Sequence, residues 1–254
     1  MRYRTQKQII IAFLSILVFS STVFASALVL GGRGNAPKII QPPPEVPEPV
    51  FKNIEVISAD FLAVEKRDKI YDIVSKIKNP NLEYGSSHFV YEFIFIDKKG
   101  GEINKISGSS FILANQTRYI IKQGVRLPNE PARVALEILS QTWKRLAPFD
   151  LSGFEIDNLS IRRDTNLFAT YVSGVVYNRT PYNLKEIEVY IALGDPAQAG
   201  KFIAAGTTNL QLINRGAARA FQILWPSVLP YVDIDAKVES NFFENDNFIR
   251  DYAL

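Results

Sequence analysis

Beyond residue 50, apolar and polar side chains alternate through much of this chain. Phe89, Tyr91, Phe93 and Phe95 stand at every second position, and so do Ile187, Val189, Ile191 and Leu193. A period of two puts four side chains on one face of an extended strand. The alternation is broken by Asn79-Pro80-Asn81, Asp97-Lys98-Lys99-Gly100-Gly101, Gly194-Asp195-Pro196 and Asn214-Arg215-Gly216, all of them turn chemistry. Many short strands joined by polar turns predict an all-β chain. Its sheets must close face to face as sandwiches, because each has one apolar side to bury.

The pattern is written twice. With Asn79 aligned on Asn178, Ile73 and Ile77 fall on Val172 and Val176. Phe89, Tyr91, Phe93, Phe95 and Asp97 fall on Ile187, Val189, Ile191, Leu193 and Asp195. Gly108-Ser109-Ser110 falls on Gly206-Thr207-Thr208, and Val134, Leu136, Ile138 and Trp143 on Ile234, Ala236, Val238 and Phe243. Upstream, Ile54-Glu55-Val56 matches Phe154-Glu155-Ile156. Five segments in one order, at offsets of 98–100 residues, indicate a tandem duplication. The expected copies are residues 51–148 and 149–254, with about five to seven strands in each. Pro131–Leu146 alone reads as an amphipathic helix opened by Asn129. Its counterpart, Val232–Phe243, alternates strictly and is poor in helix formers. Two copies of one fold agree, so both segments are expected to be strands, with Trp143 and Phe243 plugging the end of each sandwich.

The first 50 residues obey a different rule. Ile9 to Leu30 is 22 residues without a charge, and at about 1.5 Å per residue such a helix spans a hydrocarbon core of about 30 Å. Arg2, Arg4 and Lys7 precede it closely, while Arg33 and Lys38 follow more sparsely. The positive-inside rule then keeps the tail 1–8 cytoplasmic and exports the rest. The expectation is a single-pass protein of the cell membrane, in contact with the lipid bilayer through residues 9–30. Ala25-Ser26-Ala27 offers the alternative of a cleaved signal peptide and a secreted product. The length of the apolar run favours the retained anchor. Residues 31–50, with Gly31-Gly32-Arg33-Gly34 followed by Gln41–Pro49, form a Gly/Pro-rich stalk in extended conformation.

Copy two carries Phe154-Glu155-Ile156, then the strand Tyr171-Val-Ser-Gly-Val-Val-Tyr-Asn178. Leu193-Gly-Asp195, Leu210–Gly216 and Ala218-Arg-Ala-Phe221 follow in order. This series resembles the FxLYD-type bacterial envelope domain and the related late-embryogenesis-abundant, water-stress-type sandwich. Asn178, and Asn79 in copy one, stand at that family's most recognisable position. The literal Phe-x-Leu-Tyr-Asp string is absent, and Ser75 of copy one stands where copy two has Gly174. The resemblance implies two tandem immunoglobulin-like modules, tethered to the membrane and extracytoplasmic, without an active site.

Composition narrows the chemistry. The 254 residues are 47% hydrophobic, enough for a core. There is no cysteine, so disulfides, thiol nucleophiles and lipoprotein acylation are excluded, and His88 is the sole imidazole. The net charge of +3 belongs to the first 50 residues. Removing their five basic and two acidic residues from the totals of 29 and 26 leaves 24 of each. A nucleic-acid partner is therefore not expected. The copies differ in sign, with 15 basic and 11 acidic residues in 51–148 against 9 and 13 in 149–254. Opposite excesses favour packing of one copy on the other, or head-to-tail association between molecules, either of them weakly unless the charges cluster.

Candidate chemistry is sparse. Glu244, Asn245, Asp246, Asn247 and Asp251 are the best oxygen cluster for calcium, but lack the spacing of a calcium loop. Lys105 beside Ser107–Ser110 invites a Ser–Lys dyad, yet copy two has Gly206-Thr207-Thr208 there, so a turn and strand start explain both. Three Asn-x-Ser/Thr triplets begin at Asn115, Asn158 and Asn178; in a eukaryotic secretory protein they would be glycan acceptors, and in a bacterial host, which the resemblance implies, they read as turn chemistry. No catalytic residue, metal ligand or cofactor is expected. The expected function is non-enzymatic: binding or scaffolding of an envelope protein of unknown identity. The alternative is a stress-protective or spacer module without a specific partner. A polar groove between the copies would favour the first.

Overall fold

In the computed structural model, the chain is described from Pro49 to Ile249, apart from residues 65–66, 146–152, 199 and 231. The expected tail 1–8, membrane helix 9–30 and nearly all of the 31–50 stalk lie outside the described residues. So does most of the link between the copies. No helix among the described residues is long and apolar enough to cross a membrane.

Copy one forms β1 (Glu55–Ala63), β2 (Ile70–Lys78), β3 (Tyr84–Ile96), β4 (Glu102–Ile112), β5 (Thr117–Arg126) and β6 (Arg133–Arg145). They pair antiparallel in two sheets, ordered β1-β2-β5 and β4-β3-β6. Copy two forms β7 (Phe154–Asp164), β8 (Ala169–Asn178), β9 (Asn183–Gly194), β10 (Phe202–Ile213), β11 (Ala218–Trp225) and β12 (Asp233–Glu239). Their sheets, β7-β8-β11 and β10-β9-β12, repeat the first order strand for strand. A 3₁₀ turn (Asn245–Asn247) and a short β13 (Phe248–Ile249) follow, with β13 pairing to the start of β9. The fold is all-β, and the segment with helix-like spacing forms a strand over Arg133–Arg145.

Register tests the alignment residue by residue. In copy one Phe95 opposes Val134, Phe93 opposes Leu136 and Tyr91 opposes Ile138. In copy two Leu193 opposes Ile234, Ile191 opposes Ala236 and Val189 opposes Val238, as the sequence match requires. The Gly108–Gly206 match is corrected. Gly108 opposes Tyr91, whereas Gly206 opposes Ile191, the counterpart of Phe93. The two glycines serve different neighbours. A Cβ on Gly108 would lie 2.5 Å from the Tyr91 hydroxyl oxygen, and one on Gly206 would lie 2.9 Å from Ile223 Cγ2.

Each copy encloses its own core between its two sheets. In copy one Ile73, Ile77 and Ile120 face Phe89, Tyr91, Phe93, Phe95 and Leu136. In copy two Val172, Val176, Phe221 and Trp225 face Ile187, Val189, Ile191 and Leu193. Aromatics on one side of copy one meet aliphatics on the other, and copy two reverses part of that volume with Phe221 and Trp225.

Asn79 and Asn178 close the second strand of each copy, and both are fully buried. The Asn79 amide donates to the carbonyls of Tyr84 and Leu113, each at 2.8 Å. Asn178 donates to Tyr182 O (2.9 Å) and Ile213 O (3.0 Å). The side-chain oxygens accept from Asn81 N and Thr180 N, both at 3.0 Å. A short amide supplies two donors and an acceptor where a strand turns from one sheet to the other. That buried position, rather than turn propensity, explains the asparagine, and the full use of its Nδ2 excludes glycosylation there.

Asp97 and Asp195 cap equivalent hairpins. Asp97 Oδ1 accepts from Lys99 N and Gly101 N, and Asp195 Oδ1 from Ala197 N, which is the Asx-turn use of a short carboxylate. Trp143 stacks on Phe51 with centroids 5.5 Å apart and covers the copy-one core. Phe243 differs. It lies in a turn past β12, and its ring sits where a Cβ on Gly85 of copy one would come within 2.6 Å. It therefore plugs the junction of the two copies as well as its own core.

Candidate functional site

The two copies meet along the outer faces of one sheet each. β9 announces this in sequence: Val189-Tyr190-Ile191-Ala192-Leu193 is apolar without alternation, and all five residues are buried. A strand covered on both faces reads as a continuous apolar run. Val189, Ile191 and Leu193 point into the copy-two core, while Tyr190 and Ala192 join Val74, Tyr119, Phe202 and Ala205 in a third cluster at the seam. Tyr119 packs edge-on against Phe202 at 5.8 Å, and its hydroxyl donates to Asp235.

At one end of this apolar patch sits a buried charge. Arg118, on β5, is 2% exposed. Its Nε lies 2.9 Å from Glu239 Oε2 on β12, its Nη1 donates to Phe111 O, and its Nη2 donates to the Tyr190 hydroxyl. The guanidinium also lies 4.3 Å from the centroid of Phe111. The Tyr190 hydroxyl donates in turn to Glu188, whose other oxygen accepts from Thr207 at 2.9 Å. Arginine suits the place because its planar fork serves several acceptors at once and it never sheds its charge. Burial disfavours that charge, but Glu239, Tyr190 and Glu188 outweigh it and hold the guanidinium protonated.

Glu239 is less well served. Its residue is 4% exposed, and neither carboxylate oxygen accepts a hydrogen bond among the described residues. Burial pushes its pKa from 4.5 up to about 7, against the opposing pull of Arg118. Between those values the folded chain holds a proton that the unfolded chain has released, so stability falls as pH rises through the window. Denaturant midpoints are expected to fall as pH rises through this window, and Glu239→Gln should flatten that slope.

Beside the cluster opens a groove of about 390 Å³, shared by the copies. Copy one contributes Ser87, His88, Ser109 and Ser110 from β3 and β4; copy two contributes Lys185, Glu186 and Glu188 from β9, Glu239 and, beyond β12, Asn241, Glu244 and Asp246. Ser240 and Asn247 frame this wall: Asn247 Nδ2 donates to Ser240 Oγ at 2.7 Å, and its Oδ1 accepts from Glu186 N. The wall is acidic, with five carboxylates against one lysine among the lining residues.

Of the residues singled out from sequence, Ser109, Ser110, His88, Glu244, Asp246 and Asn247 reach this groove, and Phe243 packs against copy one at Gly85. Lys105 does not: its ammonium lies 3.4 Å from Glu92 and 3.3 Å from Glu102. Asn79, Asn178, Asp97, Asp195 and Trp143 hold the framework instead. Among the described residues no group of three or more His, Cys, Asp or Glu side chains is placed to share a metal ion. Arg118, Glu188 and Glu239 carried no motif in the sequence. The opposite charge excess of the copies was the available signal, and part of it meets here.

No protein-family model matches the chain, and no curated protein matches it. Among solved structures, it is similar to red sea bream transglutaminase at 12% identity and a TM-score of 0.24, over 74% of this chain and 29% of that one. A likeness at that level carries no argument about fold or activity.

Proposed function

We propose that this chain is a non-enzymatic, membrane-tethered extracytoplasmic protein that binds or scaffolds another envelope component. In this reading two tandem immunoglobulin-like sandwiches of the FxLYD-type or water-stress-type stand on the 31–50 stalk. The helix 9–30 anchors them, with Arg2, Arg4 and Lys7 on the cytoplasmic side. The observation that carries the binding role is the groove: a polar concavity built by both copies, beside a buried carboxylate that is ion-paired with Arg118 and accepts no hydrogen bond among the described residues. A spacer has no use for such a feature, because burying an unsatisfied carboxylate costs stability.

Two measurements test the reading. Protease added to intact spheroplasts should remove residues 51–254, and full protection would defeat the topology. A photo-crosslinking side chain placed at Ser109 or Asp246 in the full-length protein in cells should give a discrete adduct that the same side chain at Leu224, exposed on β11, does not. Equal background at all three positions would favour the spacer role.

A further inference from the structure

We infer that a second copy of this chain seats on the first head to tail: the outer face of β7-β8-β11 in copy two receives the outer face of β4-β3-β6 in copy one of another molecule. The contact lies apart from the groove and does not depend on its binding role. Within one chain, the seam joins the outer face of β1-β2-β5 to that of β10-β9-β12. Duplication makes β7-β8-β11 the counterpart of the first face and β4-β3-β6 the counterpart of the second. Each molecule therefore carries one unpaired half of the same joint on each copy, and the outward side chains there are half-buried or exposed.

Register identifies the counterparts. Val74 and Lys76 correspond to Ser173 and Val175, and Arg118 and Tyr119 to Arg219 and Ala220. On the other face Tyr190 and Ala192 correspond to Glu92 and Ile94, Ala205 to Lys105, and Asp235 to Ala135. The footprint ends before Leu224, whose counterparts at the β5 bulge, Gln123 and Gly124, stay exposed beside the seam.

Shape complementarity reappears with its sides exchanged. In the seam, the large Val74 and Tyr119 of copy one pack with the small Ala192 and Ala205 of copy two. On the free faces Ser173 and Ala220 are the small partners and leave a hollow of about 500 Å³, while Ile94 and Lys105 stand where the alanines were. Close packing needs large to meet small, and both joints satisfy it. Charge reappears in the same sense. Arg219 donates to Leu212 O much as Arg118 donates to Phe111 O, yet it is exposed and forms no ion pair among the described residues. Glu92, at the Tyr190 position, pairs across the strands with the exposed Glu137. Lys105 offsets Glu92, so Glu137 supplies the surplus charge for an arriving Arg219. The copy-wide charge excesses run the other way, but with screening over about 8 Å the groups in contact decide. Such a joint uses different surfaces on the two molecules, so it propagates into a row or a ring.

The chain has no cysteine, so each introduced one reports a single contact. In the seam Lys76 Nζ lies 3.8 Å from Asp235 Oδ2, which makes their counterparts, Val175 and Ala135, the pair to join. Full-length Val175→Cys and Ala135→Cys in uncharged detergent micelles, one chain per micelle, are mixed and treated with bismaleimidoethane. The expected result is a two-chain adduct in the mixture, absent from either variant alone. It should also be absent when Val175→Cys is mixed with Leu82→Cys, exposed on the turn after β2. Arg219→Glu should lower the yield by about tenfold. Ala220→Tyr, which fills the hollow as Tyr119 does in copy one, should do the same. Both changes fall on exposed positions, so they leave the fold intact. An adduct no stronger than the Leu82→Cys control, an equal adduct from one variant alone, or a yield that either change leaves unmoved would overturn the inference. None of the substituted positions lines the groove, so failure here leaves the binding role standing.

Discussion

Arg118→Ala is expected to lower the unfolding free energy by about 3–5 kcal/mol, because it strips the buried Glu239 carboxyl of the cation that pairs with it. The same change removes the donors to Phe111 O and Tyr190, along with the guanidinium over the Phe111 ring. Glu239→Gln in the Arg118→Ala background should recover part of the loss, since a neutral amide no longer needs the cation. The double-mutant cycle therefore isolates the pair from packing. Chemical denaturation at pH 7 measures it. A single-variant loss below about 1 kcal/mol would resemble an exposed ion pair and would contradict the burial. Arg145 with Glu83, where both partners are mostly exposed, is the matched control.

Asn178→Ala is expected to cost about 3–5 kcal/mol, since two buried carbonyls lose their donor and two Thr180 groups lose their acceptor. Asn79→Ala should cost a similar amount, because its partners repeat those of Asn178: the carbonyls at the start of β3 and at the end of the β4 segment, and the amide two residues on. Asp is the sharper substitution. It keeps the acceptor but presents an oxygen to two carbonyls, so it should be at least as damaging as alanine. Denaturant midpoints for the four variants test this, and mild effects in either copy would mean that the strand crossing is held by something else.

The strands and the duplication were readable because one-sided burial imposes a period of two, and because a repeated fold must repeat its register. Comparison of the copies also settled β6, where Pro131–Leu146 alone suggests a helix. The glycine match slipped by two residues, since a small residue opposite Tyr91 and another beneath Ile223 answer to separate neighbours. The role of Asn79 and Asn178 was half readable: their positions stood out, but not the two carbonyls that each one ties down. The seam was harder. Its buried ion pair joins Arg118 to Glu239, 121 positions apart in the numbering, and neither residue has a local pattern to mark it. The apolar run Val189–Leu193 was the one local sign that a second face is covered. The groove follows from the seam, so it was out of reach for the same reason.

The central claim is that the two copies form one cooperative unit across the Arg118–Glu239 seam, with the groove as a product of that union. Differential scanning calorimetry of the full-length protein in micelles tests it most directly. A single transition is predicted for residues 51–254, splitting into two in Arg118→Ala as the copies lose their coupling. Two separate transitions in the native chain, or an Arg118→Ala trace that superimposes on it, would contradict the account.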